Sequence, residues 1–404
     1  STEDTRNGWK MRAELPFNSK VKFMARLYLP ENRILAHDIG VPDKNYLFTI
    51  KGAPDVLLSR CTHTLVGSTR VPLTTDMLEK VTSTQREWAS AGKRVVLLAS
   101  ATVKEGEEAM NPEFWFDPEA TSSFLTSLSS SNLTLVGLVG ITDPPKDDIF
   151  EVVNTLRGAG IKLAMVTGDF ELTAVAIARL CGIVTAKEVD LALQLKSQDG
   201  FGDSKKKNRD VIERAIVVNN ADINGLTDEE WEVLTRYQEI VFARATPEQK
   251  LRIVEKFQLQ GNIVGMTGDG VNDAPSLKKA DVGIAMADGS DIAKEAADIV
   301  LLQSFSSIVD ALKYGILVFE NLRKTIAYLL PAGTYAELWP VLLNVIFGLP
   351  QALSSFNMIL ICCLTDCAGA ITLAYEKPEK NLLLKKPRSV TGERLVDWKL
   401  FLHS

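Results

Sequence analysis

Asp269 and Asp273 stand four residues apart in the stretch Ile263-Val264-Gly265-Met266-Thr267-Gly268-Asp269-Gly270-Val271-Asn272-Asp273-Ala274-Pro275. Two carboxylates at that spacing in a Gly-rich turn can converge on one hard cation such as Mg²⁺, which takes carboxylate, water and phosphate oxygens. Asn272 adds a hydrogen-bonding group to the same turn. Two further polar stretches carry matching chemistry. Thr167-Gly168-Asp169 offers a hydroxyl and backbone N–H groups to a phosphoryl oxygen, and Lys250, shortly after Arg244-Ala245-Thr246-Pro247, offers a positive charge. There is no GxxxxGK[ST] phosphate loop, so a nucleotide has to be held in another way. Lysine and metal charge with oriented donors around a moving group is the inventory of phosphoryl transfer.

Such turns need strands that end in them. Residues 263–266 are a short apolar run, the pattern of a buried parallel strand, and Asn272-Asp273-Ala274-Pro275 opens a helix. From about residue 133 onward, strands at 133–140, 162–166, 215–218, 240–243, 263–266, 282–285 and 299–302 alternate with helices at 147–157, 172–181, 247–258 and 292–297. That alternation predicts a doubly wound α/β domain, in which ligands collect at the carboxyl ends of the strands. Residues 185–210, with Lys205-Lys206-Lys207, read as a solvated insertion. The preceding part reads as an α+β unit, with strands at 22–29, 46–50 and 94–102. Its helices fall at 53–61, where Pro54 takes a first-turn position, and at 75–91. The Ser-rich residues 122–131 read as a loop. Asn132-Leu133-Thr134 fits a glycosylation sequon, which carries no meaning in a cytosolic segment.

The composition bounds the partners. The chain has 404 residues, a net charge of −6, 24% charged and 46% hydrophobic residues. Its acidic balance argues against nucleic acid as the main partner. Cys61, Cys181, Cys362, Cys363 and Cys367 show no paired spacing, which suggests a reducing compartment. Two apolar stretches, 326–347 and 352–375, each hold one acid and are joined by Gly348-Leu349-Pro350, the pattern of a transmembrane hairpin. Arg323 and Lys324 precede it, and Lys377, Lys380, Lys385, Lys386 and Arg388 follow, placing both ends in the cytosol. Inside the hairpin Glu337 and Asp366 are functional candidates, with Asn344 and Thr365 as additional oxygen donors. Pro331 and Pro340 remove backbone donors near Glu337 and are expected to disturb the first helix. With no starting Met, no signal peptide and an apolar stretch opening at Trp398, a fragment open at both ends is expected.

Together these motifs resemble the P-type cation-transporting ATPases, a membrane branch of the haloacid-dehalogenase-like phosphotransferases. Thr167-Gly168-Asp169, the Thr267–Pro275 string, Asp143-Pro144-Pro145 and Lys51-Gly52-Ala53-Pro54 match four of that family's signatures. The resemblance implies ATP and Mg²⁺ as cofactors. In it Lys250 neutralises phosphate, Thr167 contacts the phosphoryl group with Gly168 and Asp169 beside it, and Asp269 holds Mg²⁺ with support from Asn272 and Asp273. Arg244 resembles a nucleotide-contacting arginine. Phe17 matches the aromatic that stacks on adenine, and Lys22, Lys51 with Gly52, and Arg94 match positions near the nucleotide. Local wording at Val241-Phe242-Ala243-Arg244, Leu373-Ala374-Tyr375-Glu376 and Lys386-Pro387-Arg388 is similar to the sodium/potassium-pump branch of type II. Glu337 and Asp366 then match cation-site acids of membrane helices five and six.

The departures are specific. No Asp-Lys-Thr-Gly-Thr string occurs, so the nucleophilic aspartate is expected upstream, and the chain alone is expected to be inactive. Cys362 stands where the branch has a second aspartate, Gly333 or Thr334 replaces an expected asparagine, and Pro331-Ala332-Gly333 lacks the lysine of gastric pumps. Thr365-Asp366 is equally at home in calcium pumps. The resemblance implies a nucleotide-binding domain at 1–135, a phosphorylation domain at 136–305, a stalk and membrane helices at 306–375, and a cytoplasmic loop with the start of another helix at 376–404. It implies a multi-pass protein of the plasma membrane with cytosolic soluble domains, and as partners ATP, transported cations, the lipid bilayer and an accessory subunit. Two other readings stand beside the pump: a membrane-anchored phosphatase of the same fold, and a transport-inactive scaffold.

Overall fold

Strand-forming residues before residue 105 supply six of the seven strands of one sheet. The computed structural model describes residues 8–18, 21–31, 41, 45–67, 69–104, 118–130, 132–192, 214–351, 353–378, 382–384 and 395–403. Two compact units result: Ser1–Pro145 with Ala164–Leu226 and Ile240–Thr246, and Lys146–Leu163 with Thr227–Glu239 and Pro247–Ser404.

In the first unit the strands are β1 (Trp9–Leu15), β2 (Phe23–Pro30), β3 (Asn45–Gly52), β4 (Cys61–Val66), β5 (Thr69–Pro72), β6 (Arg94–Lys104) and β7 (Leu133–Ile141). Their order is β1-β2-β3-β6-β7-β4-β5, antiparallel except for β4 beside β7. Inward positions along these strands alternate, so Phe23, Leu27, Phe48, Ile50, Leu97 and Leu133 meet in one core. The expected strand at 133–140 therefore belongs to this sheet rather than opening the α/β pattern, because Leu133 and Leu135 face the core shared with Leu97. The expected helix at 53–61 is shorter. Pro54–Leu57 is helical, Leu58–Arg60 tightens to a 3₁₀ turn, and Cys61 already begins β4.

The Ser-rich stretch corrects a second expectation. Pro118–Leu128 is a helix, not a loop. Leu125 is fully buried in the core, with Phe124 and Leu128 packed against it. The hydroxyls fold back onto the helix, Thr126 donating to the Ser122 carbonyl and Ser127 to that of Phe124, both at 2.7 Å. Hydroxyls that bond their own backbone need no water, so a serine run tolerates a helix that one apolar face anchors. Ser131 lies outside the described residues.

The alternating segment forms two sheets. In the first unit β8 (Leu163–Val166), β9 (Val189–Leu191), β10 (Ala215–Asn219) and β11 (Glu239–Ala243) take the order β8-β11-β10-β9. The strand β9, parallel to β10, lies within the segment expected to be a solvated insertion, while Lys205, Lys206 and Lys207 fall outside the described residues. In the second unit β12 (Gly265–Gly268), β13 (Val282–Met286) and β14 (Ile299–Leu301) run parallel. The expected buried strand at 263–266 begins two residues later, at Gly265: Ile263 is 56% exposed, and among the described residues β12 pairs with β13. An apolar run reports hydrophobicity along the chain, not the number of neighbours its backbone finds.

Still in the second unit, one helical run extends from Ser307 to Phe347. It comprises a helix at Ser307–Leu329, a π-helical segment at Leu330–Tyr335 and a helix at Ala336–Phe347. Pro331 sits in the π-helical segment, and Pro340 lies inside the last helix without ending it. The return limb is Ser355–Leu360, a second π-helical segment Ile361–Asp366, and Cys367–Ala374. Ser355–Ala374 is long and apolar enough to cross a membrane, with a mean hydropathy of 1.8 and 6% of it buried. Among the described residues the first limb is comparably apolar only over Leu338–Phe347.

Candidate functional site

In the first unit the Thr167-Gly168-Asp169 turn leaves β8 and is stitched to the end of β11. Thr167 N donates to Phe242 O at 2.9 Å, Ala245 N to Thr167 O at 3.0 Å, and Arg244 N to Asp169 O at 3.0 Å. The Thr167 hydroxyl accepts from Asp169 N at 3.1 Å. The Asp169 carboxylate receives Arg94 as a fork, Nε to Oδ1 at 2.9 Å and Nη2 to Oδ2 at 3.0 Å. This two-point geometry fixes the guanidinium in plane, and the Asp169 hydrogen bond is the main cause that holds Arg94 above its ordinary range. Arg244 has φ 58°, packs its guanidinium 5.8 Å from the centre of the Phe170 ring, and forms an ion pair with Asp55.

Lys22 belongs to the same group of charges. Its φ is 61°, its N–H donates to Asn18 O at 2.7 Å, and its carbonyl accepts from Ala53 N at 3.0 Å. Burial, and secondly the charge of Arg244, push its ammonium below the usual lysine range, while Asp55 opposes the shift. Gly52 is required beside it, because an added Cβ would lie 2.6 Å from both Lys22 O and Phe23 Cβ. Lys51 is exposed at the end of β3, and Phe17 is 64% exposed.

In the second unit, β12 delivers the Asp269–Asp273 turn. Lys250, on the Pro247–Leu259 helix, donates to Asp273 Oδ1 at 2.6 Å, and Gly270 N donates to Asp273 Oδ2 at 3.4 Å. Both oxygens of Asp273 are thus engaged, with its side chain only 11% exposed. The turn closes tightly, for a Cβ on Gly268 would lie 2.6 Å from that of Asp273. Asp269 differs: its carbonyl accepts from Ser290 N at 2.8 Å, pinning the backbone, while the residue is exposed, as is Asn272. Among the described residues no group of three or more His, Cys, Asp or Glu comes together as a metal cluster. One available carboxylate on a fixed backbone suits Mg²⁺, which keeps most of its water and phosphate oxygens.

In the hairpin Asp366 is 5% exposed, and among the described residues its Oδ2 has no hydrogen-bond partner. It ends one π-helical segment, which packs against the other at Leu330–Tyr335. Thr325 Oγ1 is likewise buried without a partner among the described residues. Thr365 is exposed, so adjacent residues point to different surroundings. Asn344 is not brought into such a site: its side chain donates to Leu349 O at 2.6 Å and closes the helix end with Gly348. Glu337 begins the Ala336–Phe347 helix, but its side chain lies outside the described residues, as do Lys380, Lys385, Lys386, Pro387 and Arg388.

Sequence reasoning missed Asp55, Phe170 and Thr325. The first is one acid in a short helix after Lys51-Gly52-Ala53-Pro54, a position that ordinarily reports only helix-start chemistry.

The parallel α/β strands, with Asp269 and Lys250 on the segments that follow them, define a haloacid-dehalogenase-like class. A family model for haloacid dehalogenase-like hydrolases matches residues 249–311. The model for P-type ATPase cytoplasmic domain N matches residues 1–148, and that for the cation transporting ATPase C-terminus matches 350–404. The chain is 38% identical over 395 residues to potassium-transporting ATPase alpha chain 2 of Oryctolagus cuniculus, covering 97% of this chain and 34% of that one. It is 38% identical over 397 residues to sodium/potassium-transporting ATPase subunit alpha-3 of Homo sapiens, covering 97% and 37%. The sodium/potassium-transporting ATPase subunit alpha of Hydra vulgaris is 36% identical over 405 residues, covering 98% and 37%. The chain belongs to the P-type ATPase family, and it spans about a third of the length of the curated relatives it matches.

Proposed function

We propose that this chain is part of an ATP-driven pump for small inorganic cations, monovalent as in the relatives named for sodium and potassium transport. The observation that carries the proposal is the Asp269–Asp273 turn: Lys250 locks Asp273, and Asp269 stands exposed on a pinned backbone. In this reading Asp273 is the anchor that fixes Lys250, and Asp269 is the carboxylate that holds Mg²⁺, with Asn272 beside it. Mg²⁺ supplies charge neutralisation on the transferring phosphoryl oxygens. Phe17 offers a face to adenine, Lys22, Lys51 and Arg94 offer positive charge, and Arg244 is aimed by its fixed backbone. Thr167 presents its hydroxyl to phosphate, and Gly168 leaves the approach open, since nothing lies within 4 Å of where its Cβ would be. The γ-phosphoryl group passes to an aspartate that this chain does not contain.

The transport site in this reading centres on Asp366, with the π-helical carbonyls and Glu337 as further oxygens. π-helical turns recur at functional sites because they free backbone carbonyls from the regular ladder. The domain division 1–135, 136–305, 306–375 and 376–404 belongs to the same reading, as do the bilayer, the plasma membrane and an accessory subunit as surroundings.

The test is formation of an acid-stable acylphosphate from labelled ATP by the full-length protein, titrated with Na⁺, K⁺, Ca²⁺ and H⁺. Cation-dependent labelling supports the pump. Labelling or phosphate release indifferent to every cation transfers the reading to a membrane-anchored phosphatase. A protein with a substituted nucleophile and no labelling is a scaffold.

A further inference from the structure

Asp55 has no role in the proposal above, yet it holds one of that proposal's key cations. It sits in the first turn of the Pro54–Leu57 helix, directly after β3. Val56 N and Leu57 N both donate to Ala53 O at 3.1 Å, and Ala53 N is tied to Lys22 O, so the backbone carrying Asp55 is fixed. Arg244 is fixed from the other side by its backbone bond to Asp169 and by the Phe170 ring. Between these anchors the Arg244 side chain is only 16% exposed, whereas that of Asp55 is 34% exposed. The guanidinium has five N–H donors. Nη2 is engaged by Asp55, and Nε is buried with no partner among the described residues. Lys22 lies close enough to feel both charges.

Resting on the nucleotide reading, we propose that Asp55 is an internal counter-ion, which occupies Arg244 until the phosphate chain of a nucleotide displaces it. Lys22, Arg94 and Arg244 share this region with Asp55, Asp169 and Asp143, of which Asp55 and Asp169 touch a guanidinium directly. A polyphosphate brings more negative charge and more acceptor oxygens than one carboxylate, and it competes for the same planar fork. Asp55 is the carboxylate free to yield. A third of its side chain already meets solvent, whereas Asp169 also carries the backbone of its turn. The device sets selectivity: a ligand must bring enough charge to take Arg244 from Asp55, so nucleotides with few phosphates are held back.

The experiment is calorimetric titration of the full-length protein with ATP, ADP and AMP at low and high salt, for wild type and Asp55→Asn. The variant is expected to bind ATP about three- to tenfold more tightly at low salt, with a smaller gain for ADP and the smallest for AMP. The gain shrinks at high salt, because at least one partner is solvent-exposed. Adding Arg244→Gln to Asp55→Asn abolishes the gain. Unchanged or weakened ATP binding by Asp55→Asn, in a protein whose wild type binds ATP, overturns the counter-ion role alone. Absence of ATP binding in both overturns the nucleotide reading with it. Melting curves check folding, and Asp55→Ser, a smaller uncharged side chain, repeats the measurement if the Asn variant does not fold.

Discussion

Lys22 and Arg244 both adopt left-handed backbone, at φ 61° and 58°, conformations that cost a side chain-bearing residue about 1–2 kcal/mol. Each is held there by peptide hydrogen bonds that outlast the side chain's own freedom, to Asn18 and Ala53 for Lys22 and to Asp169 for Arg244. Strain concentrated on two cations beside one group of carboxylates indicates preorganisation for an anion. The lowered ammonium of Lys22 has a pH consequence. It is charged below its own pKa, and because burial and Arg244 lower that pKa from 10.5, the proton leaves earlier in an alkaline titration. Nucleotide affinity is therefore expected to fall as pH rises through a range below that of an ordinary lysine. Lys22→Arg should move the fall to higher pH; an unchanged profile in that variant would remove Lys22 from the site. Gly52→Ala is expected to destabilise the first unit by about 1–3 kcal/mol, since its Cβ would meet backbone that cannot move. Denaturant unfolding measures this, and a midpoint equal to wild type would show that the 22–52 contact yields. How much was legible at this scale follows from chemistry. The Asp269, Asp273 and Lys250 trio stands out by residue type and spacing once combined with Thr167-Gly168-Asp169, because phosphoryl transfer calls for that combination. Phe17, Lys22, Lys51 and Arg94 could not, since exposed aromatics and lysines are ordinary, and only the family resemblance marked them. Asp55 was invisible because its meaning lies in a partner 189 residues away.

At the scale of elements, β12 and the Pro247–Leu259 helix illustrate how a site divides between backbone and charge. The strand brings Gly268 close enough to touch Asp273, the 3₁₀ turn Val271–Asp273 reverses the chain, and Ser276 Oγ donates to Asp273 O at 2.8 Å. The helix then presents Lys250, whose side chain is 15% exposed, to a carboxylate that is 11% exposed. A pair so largely removed from water leaves a costly orphan when one partner is deleted. Lys250→Met is accordingly expected to cost about 2–4 kcal/mol, and the double variant Lys250→Met with Asp273→Asn less than the two single changes summed. Equilibrium unfolding of the four proteins tests the coupling. Strict additivity would mean that the two side chains are independent, and the anchoring role of Asp273 would fall. The elements themselves were predicted well where periodicity and caps agree, as at Thr75–Ser90, which starts on a Thr74 cap. They were predicted poorly where composition misleads: serines at 122–131 suggested a loop, and apolar residues at 263–264 suggested a strand that begins two residues later. Neither the Pro118–Leu128 helix nor the start of β12 at Gly265 can be derived from local residues, because long-range packing decides both.

For the whole molecule the unresolved tension is between the ordinary globular composition and the apolar surface of the hairpin. Val345, Ile346, Phe347, Phe356, Ile359 and Leu364 are each more than 60% exposed. In water such a continuous surface would drive association, whereas in hydrocarbon it costs nothing. The hairpin's polar attachments lie at its other end. Asn321, buried in the Ser307–Leu329 helix, donates to Ala374 O at 3.2 Å and Glu376 O at 2.9 Å, while Lys324 pairs with Glu376 at 2.8 Å and Arg323 with Asp397 at 2.7 Å. Gly369 meets Tyr328 so closely that a Cβ there would lie 2.6 Å from its hydroxyl. The two limbs are thus pinned together at the charged end and spread apolar side chains toward the Gly348 turn. Basic residues at one end and an uncharged turn at the other orient a hairpin with its ends on the cytosolic side. The expected topology has the turn at Gly348 on the opposite side of the membrane from the charged ends of the hairpin. A glycosylation acceptor inserted after Gly348 should be modified in microsomes, one inserted after Gly67 should not, and alkaline carbonate should leave the chain in the membrane pellet. The natural Asn132-Leu133-Thr134 sequence is a poor reporter for this purpose, since Leu133 and Thr134 are buried in β7 whichever side they face. Modification after Gly67 would invert the topology, and release of the chain by carbonate would make the hairpin a soluble element whose apolar face is covered by protein; either result would remove Asp366 from a transmembrane path.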